Sequence, residues 1–249
     1  MTDTALAIVV LAAGKGTRMR SDLPKVMHQL AGRPMIAHLL DTAAELSPER
    51  VVVVVGPDMD VVADAVAPHP TCVQADRDGT GGAVKAARDA LEGFTGTVLV
   101  LYGDTPLVTA DTMRRAAVAC ANGAAVSVLG FRPSHFHQYG RLITDGDGAL
   151  TAIVEARDAT PEELNVNLCN SGVMAFDGRH LFGLLDKIGT DNSKGEYYLT
   201  DMVALARADG HAAAVVEGEE DELLGVNARS DLAMAEAVVQ DGLRARAME

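Results

Sequence analysis

The sequence predicts an α/β fold in which a mostly parallel, Rossmann-like sheet is flanked by helices. Near-continuous apolar runs are typical of strands buried on both faces, and here they alternate with helical patterns. A chain of 249 residues is also long enough to bury a large core. From about residue 132 the pattern changes, and alternating residues around Asp-Gly-Asp-Gly in 141–155 predict a hairpin insertion. We expect a single domain over 1–227 and a C-terminal helix over 228–249.

The individual elements follow from local patterns. The apolar runs at 5–11, 51–55 and 97–101 predict three buried strands, because they contain almost no polar residue. The segment 34–46 places its apolar residues on one face and predicts an amphipathic helix. The other predictions are short strands at 71–74 and 172–176, extended segments at 124–131 and 211–217, and helices at 58–67 (with Asp58 as N-cap), 82–91, 109–121, 179–188 and 199–208.

Composition and charge bound the function. A net charge of −14 argues against sequence-independent binding of nucleic acid, and 4% aromatic residues without Trp provide few stacking surfaces. An anionic small molecule remains compatible, because a few local cations can bind it. No apolar run approaches the length of about 18 residues that predicts a membrane span.

The expected compartment is the cytoplasm. Asp3 stands where a secretory leader carries basic residues. The three cysteines match neither a disulfide framework nor a zinc site, which favours free thiols in a reducing environment. The pair His135 and His137 favours a polar loop over a metal site, because two possible ligands without a third do not form one.

A glycine-rich loop follows the first strand. Leu11 leads into Ala-Ala-Gly-Lys-Gly-Thr-Arg-Met, whose small residues allow close approach of the backbone to a ligand. Successive backbone N–H groups in such a turn can bind an anion, and Arg18 and Lys25 can neutralise a triphosphate. The loop does not fit the P-loop pattern, and Met19 stands where a dinucleotide fingerprint needs its third glycine. The alternative interpretation is a glycine-rich turn with surface cations.

A carboxylate follows another buried strand. Asp104 comes just after the strand at 97–101, and the carboxyl ends of parallel strands form the ligand-binding edge of such sheets. Mg²⁺ prefers a few protein oxygens together with substrate phosphates, so Asp104 is a candidate metal ligand. The alternative is a turn-forming aspartate with no ligand.

At these residues the chain resembles a known family. The segments LAAGKGTRM at 11–19 and SDLPKVMHQLAGRPM at 21–35 are similar to the N-terminal signature of sugar-phosphate nucleotidyltransferases. Within that family the chain most resembles the uridyltransferase domains of bifunctional N-acetylglucosamine-1-phosphate uridyltransferases/glucosamine-1-phosphate acetyltransferases. Further matches, whose order and spacing together are specific, are LYGDTPL at 101–107, YGR at 139–141, IVEARDAT at 153–160, CNSGV at 169–173, GEYYLTD at 195–201 and GVN at 225–227.

The resemblance implies transfer of UMP from UTP to N-acetylglucosamine 1-phosphate, with release of pyrophosphate. It makes Arg18 and Lys25 the catalytic cations, and it assigns Mg²⁺ to Asp104 and Asn227. A sugar-phosphate oxygen attacks the α-phosphorus directly, and because this nucleophile is already an anion, no strong general base is required. The implied UTP-binding residues are Leu11, Ala12, Ala13, Gly14, Lys25, Gln74, Gly79 and Thr80, and the implied sugar-binding residues are Tyr102, Gly140, Glu155, Asn170, Tyr198 and Thr200.

The chain departs from the family in one segment. The usual Gln-Leu-Gly-Thr-Gly-His-Ala is here Arg77-Asp78-Gly79-Thr80-Gly81-Gly82-Ala83. Arg77 and Asp78 form either a local ion pair or an altered contact to the nucleotide. This departure leaves open a different sugar phosphate or nucleotide, and a non-catalytic nucleotide-sugar sensor is the alternative of another class.

The β-helix of the bifunctional relatives has no counterpart in this sequence. We find no hexapeptide repeat, so we expect no acetyltransferase activity from these residues. The trimers of the family depend mainly on that part, and the resemblance therefore predicts no oligomeric state here.

Overall fold

The computed structural model describes residues 5–134 and 138–248. The expected polar loop at His135 and His137, and the N-terminal residues around Asp3, lie outside the described residues. No helix within the described ranges combines the length and apolarity needed to cross a bilayer.

The first half of the chain forms the parallel part of a nine-stranded sheet. Strand β1 pairs in parallel with β4 on one side and with β6 on the other, and β4 pairs in parallel with the short β5. Two-residue strands β2 and β3 form a separate small hairpin. The bounds are β1 Leu6–Leu11, β2 Gln29–Leu30, β3 Arg33–Pro34, β4 Arg50–Val55, β5 Thr71–Val73 and β6 Thr97–Tyr102.

The second half completes the sheet, and β10 is the reversed strand of its main order. Strand β10 runs antiparallel to β6 and to β7, and β11 pairs in parallel with β7, giving the order β11-β7-β10-β6-β1-β4-β5. The predicted hairpin is formed by β8 and β9, which join the sheet through β10. The mostly parallel sheet and its hairpin insertion are thereby confirmed. The bounds are β7 Ala124–Phe131, β8 Arg141–Thr144, β9 Leu150–Val154, β10 Cys169–Asp177 and β11 Ala212–Glu217.

Helices cover both faces of the sheet. Alternate residues of β1 point to opposite sides, so Ala7 and Val9 pack with α3, α6 and α7, whereas Ile8 and Val10 pack with α1, α2 and α4. Both faces are buried, which explains the uninterrupted apolar runs. The bounds are α1 Met35–Ala44, α2 Asp60–Ala65, α3 Thr80–Ala86, α4 Ala110–Ala121, α5 Pro161–Leu164, α6 Gly178–Leu185, α7 Met202–Ala208, α8 Glu220–Leu223 and α9 Arg229–Ala247.

Two helix predictions were wrong at their starts. Asp58 has a φ of 59° and does not cap α2, whose N-cap is Met59. Helix α3 begins at Thr80, two residues before the predicted start, and ends at Ala86. The segment from 199 begins as a 3₁₀ turn before it continues into α7. In each case local turn geometry, which periodicity does not encode, sets the boundary.

The cysteines are free thiols, as the sequence predicted. Cys120 and Cys169 are buried and Cys72 is partly buried. Burial raises the pKa of Cys120 to about 12, so this thiol stays protonated at neutral pH.

The core predicts a clear stability difference between two leucines. Leu101 in β6 is fully buried, and we expect Leu101→Ala to lower the free energy of unfolding by about 3 kcal/mol. The matched control Leu243→Ala changes a side chain of α9 that is 41% exposed, and we expect an effect below about 0.5 kcal/mol. Urea titrations of both variants measure the difference, and equal losses would contradict the assigned core.

Candidate active site

Two strand ends bring the predicted loop and carboxylate to one edge. Leu11 of β1 lies level with Tyr102 of β6 in the parallel register, so the segments that follow both residues leave the sheet together. A cavity of about 240 Å³ opens there. Its lining includes ten of the residues predicted for the site, which are Leu11, Ala12, Ala13, Gly14, Lys25, Gln74, Gly79, Thr80, Tyr102 and Asp104.

The glycine-rich loop is anchored at its start and open further on. The backbone N–H of Ala12 donates to the carbonyl of Val54 at 2.8 Å. The next four backbone N–H groups, at 13–16, donate no hydrogen bond within the described ranges. Gly16 has a φ of 64°, and a Cβ there would overlap the side chain of Lys25. The loop therefore offers free donors to an anion and packs closely against Lys25.

Lys25 lies between the two predicted metal ligands. Its ammonium donates to Oδ2 of Asp104, and to Oδ1 of Asn227 at 3.1 Å. The side chains of Lys25 and Asp104 are only 15% and 14% exposed, so the pair is shielded from water. A carboxylate oxygen and an amide oxygen thus converge on one cation.

Backbone contacts hold these groups in place. The N–H of Val226 donates to the carbonyl of Asp104 at 2.8 Å, which joins the turn after β6 to the segment before α9. Nδ2 of Asn227 donates to the carbonyl of Gly225 at 3.2 Å, which turns Oδ1 toward Lys25. The carboxylate of Asp231 accepts the N–H of Asn227 at 2.9 Å and fixes its backbone.

Arg18 approaches the same cluster from solvent. Its exposed guanidinium donates to Oδ1 of Asn227 at 2.7 Å. Arg18 and Asn227 also line a second, larger cavity of about 750 Å³ that borders α9. In the described part of the chain no three His, Cys, Asp or Glu side chains cluster in a way that could hold a metal. A metal at Asp104 and Asn227 would therefore need phosphate or water oxygens, as Mg²⁺ commonly does.

Gln74 and a glycine turn form the part of the cavity that was predicted to bind the base. Nε2 of Gln74 donates to Oδ1 of Asp78 at 3.0 Å and to the carbonyl of Gly79 at 2.9 Å. The described residues contain no ion pair between Arg77 and Asp78, because the Asp78 carboxylate pairs with Gln74. The first of the two options for this segment was therefore wrong.

The structure brings four of the predicted sugar residues together in two pairs. Oγ1 of Thr200 donates to Glu155 at 3.4 Å, and the N–H of Asn170 donates to the carbonyl of Gly140 at 2.8 Å. Tyr198 is buried and precedes the turn that contains Thr200. Of the six predicted sugar residues, Tyr102 alone contributes to the lining of the first cavity.

Burial raises the pKa of two side chains in the predicted sugar site, Tyr102 and Glu155. Burial, with the nearby Glu155 carboxylate, raises the pKa of Tyr102. Burial also raises the pKa of Glu155, although Lys194 and the hydrogen bond from Thr200 lower it in part. Both side chains are therefore harder to ionise than in water.

Four further residues line the first cavity and were absent from the predicted set. Arg77 belongs to the segment that departs from the family, and that departure was the available signal. Glu196 lies against the glycine turn, since a Cβ at Gly79 would approach its Cβ at 2.9 Å. Such a contact between distant segments leaves no local pattern. The four residues are Val26, Arg77, Ala83 and Glu196.

The anchored glycine loop, the strand-end carboxylate and the amide-lined cavity define a nucleotide-binding domain of the nucleotidyltransferase class. A model of the MobA-like NTP transferase domain matches residues 8–163, and the chain belongs to this family. It is 62% identical over 248 residues to a protein named Bifunctional protein GlmU from Rhodospirillum rubrum, covering 99% of this chain and 55% of that protein. Proteins of the same name from Paramagnetospirillum magneticum and Azorhizobium caulinodans are 61% and 53% identical over this whole chain and 56% of theirs.

The chain thus spans about half the length of the curated relatives it matches. The predicted resemblance to the nucleotidyltransferase part of such bifunctional proteins is confirmed.

The raised pKa of Glu155 predicts a pH-dependent stability. The folded pKa lies above the unfolded one, so this carboxyl favours folding at acidic pH and loses that contribution as the pH rises through the folded value. Glu155→Gln is neutral throughout. We expect the melting temperature of Glu155→Gln to exceed that of the wild type at about pH 7.5, and we expect this difference to shrink toward about pH 4.

Thermal melts across this pH range provide the measurement. Glu162→Gln makes the same charge change on the exposed surface and is the matched control. A pH-independent difference between Glu155→Gln and the wild type would contradict the assigned environment.

Proposed function

We propose that this chain transfers UMP from UTP to N-acetylglucosamine 1-phosphate in an Mg²⁺-dependent reaction, giving UDP-N-acetylglucosamine and pyrophosphate. The observation that carries the proposal is the convergence of Lys25, Asp104 and Asn227 beside a loop of free backbone donors. The similar proteins are named bifunctional, and this chain matches 55% and 56% of the length of two of them.

The chemistry proceeds without a covalent enzyme intermediate. A phosphate oxygen of the sugar 1-phosphate attacks the α-phosphorus of UTP in line with the bond to the β-phosphate. The new P–O bond forms, the Pα–O bond breaks, and pyrophosphate departs with its electron pair. The nucleophile is already an anion, so positioning and charge stabilisation supply the catalysis.

The cations have distinct roles in this proposal. The free N–H groups of Lys15 and Gly16 cradle the phosphates, and Lys25 and Arg18 neutralise the charge that grows on the departing pyrophosphate. Lys25 is held in a shielded position, where its charge acts more strongly than in bulk water. Arg18 is exposed and can adapt to a bound triphosphate.

The oxygens of Asp104 and Asn227 suit a divalent metal. They already share one cation in the structure, and both are the hard donors that Mg²⁺ prefers. Bound there, Mg²⁺ would act as a Lewis acid on phosphate oxygens. The remaining ligands would come from substrate phosphates and water.

The remaining assignments complete the proposal. Ala12 to Gly14, Gln74, Gly79 and Thr80 bind the UTP nucleoside. Glu155 accepts hydrogen bonds from the sugar, with Thr200 holding its carboxylate. Tyr102, Gly140, Asn170 and Tyr198 complete the sugar side. We assign this nucleotidyltransferase unit to 1–227 and expect it to act in the cytoplasm on small-molecule substrates.

A second candidate keeps the reaction and changes a substrate. The segment at 77–82 supports it, because Asp78 contacts the amide proposed to read the base. A non-catalytic sensor is the remaining alternative, and turnover distinguishes it from both enzymes.

Substitutions at the cation cluster test the assigned site. We expect Lys25→Ala, Asp104→Ala and Asn227→Ala each to lower the rate of pyrophosphate release by about 10²–10³-fold, because each removes charge stabilisation at the reacting phosphates. Lys187→Ala and Asp186→Ala alter exposed ion pairs elsewhere and serve as controls with unchanged rates. Rates like the wild type in all three site variants would overturn the assignment.

A substrate screen tests the reaction itself. Four nucleoside triphosphates are combined with several sugar 1-phosphates, with and without Mg²⁺, and pyrophosphate is measured. We expect the highest kcat/KM for UTP with N-acetylglucosamine 1-phosphate, and loss of turnover when EDTA removes the metal. Preference for another pair would establish the second candidate, and nucleotide-sugar binding without turnover would establish the sensor.

A further inference from the structure

The segment 77–82, where the sequence departs from the family, packs Asp78 against Gly82 at the start of α3. Gly82 is buried, and a Cβ added to it would coincide with the carboxylate of Asp78. The side chain of Asp78 therefore occupies the space that any larger residue at 82 would fill. The two departures depend on each other, because the carboxylate fits only while residue 82 is glycine.

The turn that carries Asp78 is held from both sides. Tyr197 donates its N–H to the carbonyl of Asp78 at 2.7 Å, and its own carbonyl accepts the N–H of Gly81 at 2.8 Å. Gly79 has a φ of 107°, and a Cβ there would lie 2.6 Å from the carbonyl oxygen of Tyr197. The carbonyl of Gly79 and the carboxylate of Asp78 thus have fixed positions.

Both groups face the carboxamide of Gln74. A carbonyl and a carboxylate are acceptors only, so the amide nitrogen of Gln74 must face them, as it does at 3.0 Å and 2.9 Å. Both hydrogens of that nitrogen are then used within the protein. The carbonyl oxygen Oε1 makes no hydrogen bond to the described residues, and Gln74 lines the nucleotide cavity.

We propose that Asp78 is a positioning residue that turns the Gln74 carboxamide so that it presents an acceptor to the cavity. This inference rests on the proposed function, in which Gln74 reads the base. An acceptor at this position matches a pyrimidine with an N3–H, as in uracil, and repels the unprotonated N3 of cytosine. The complementary donors for uracil oxygens are the free backbone N–H groups of Ala13 and Gly14, which line the same cavity as Gln74.

Asp78 and Gly79 both accept hydrogen bonds from Nε2 of Gln74, so both favour the same orientation of its carboxamide. With Asp78 removed, the carbonyl of Gly79 still favours the same amide orientation, but one hydrogen on Nε2 loses its partner. The Gln74 carboxamide then rotates at lower cost and can offer its N–H to cytosine. Discrimination between the two bases should fall without loss of the reacting groups.

Steady-state pyrophosphate release with UTP and with CTP tests the proposal. We expect Asp78→Leu to lower the UTP-to-CTP ratio of kcat/KM by about tenfold, the size of one hydrogen bond to a charged group. The change should appear as a higher KM for UTP, with kcat for UTP within about twofold of the wild type, because Gln74 lies away from the reacting phosphates. Asp78→Asn keeps an acceptor oxygen and should restore most of the selectivity.

Two further variants make the outcome specific. Gly82→Ala retains Asp78 but places a methyl group where its carboxylate lies, so we expect the selectivity of Asp78→Leu. Asp76→Leu makes the same charge change at an exposed position of the same loop and should match the wild type. Thermal melts show that each variant is folded. Unchanged selectivity in both Asp78→Leu and Gly82→Ala overturns the proposal.

The failure of the proposed function is recognised separately. If the wild type releases no pyrophosphate from any substrate pair, the reaction is wrong, and calorimetric binding of UMP and CMP to the same variants then tests Asp78. A preference for UMP that Asp78→Leu reduces supports the positioning role. Equal affinity of the wild type for UMP and CMP, or binding of neither, overturns it.

Discussion

One ammonium group shared by two oxygens is the constraint on which the site depends. Lys25, Asp104 and Asn227 come from three separate segments, and two of them are largely shielded from water. A shielded ammonium or carboxylate is costly unless it is paired, so the three segments stabilise one another only in this arrangement. The hydrogen bond from the N–H of Val226 to the carbonyl of Asp104 links the same segments and holds the turn after β6 close to the start of α9.

Much of the fold could be predicted from the sequence, because burial on both faces leaves a direct mark. Strands β1, β4 and β6 are central and covered by helices on each side, so almost every residue in them is apolar. The same rule does not describe element ends. The N-terminus of α3 is set by the contact of Gly79 with Tyr197, more than a hundred positions away, and Asp58 adopts a left-handed turn where a cap was expected. Tertiary contacts decide such boundaries, and a periodic pattern does not contain them.

The site residues also divide into those that the sequence could predict and those that it could not. Parallel strands end at the same edge of a sheet, so the loop after the first strand and Asp104 could be assigned to one edge from the residues, and the level register of Leu11 and Tyr102 agrees. Asn227 could not, since its approach depends on how the chain returns after β11, and the family resemblance supplied it. The contact of Asp78 with Gln74 could not be predicted for another reason. The sequence shows two unusual residues, Asp78 and Gly82, but it does not show that the Asp78 carboxylate occupies the space left by the glycine.

The strongly acidic composition does not conflict with binding of anionic substrates. The net charge of −14 is a sum over all charged residues, and salt screens exposed charges beyond about 10 Å. The lining of the first cavity holds the carboxylates of Asp104 and Glu196, but it also holds Lys25, Arg77 and the free N–H groups of Ala13 and Gly14. At short range such cations and donors act on a bound anion with little screening, and they outweigh distant surface carboxylates. In the proposed reaction, phosphate affinity is therefore a property of local geometry, while base selectivity depends on which way the Gln74 carboxamide is turned.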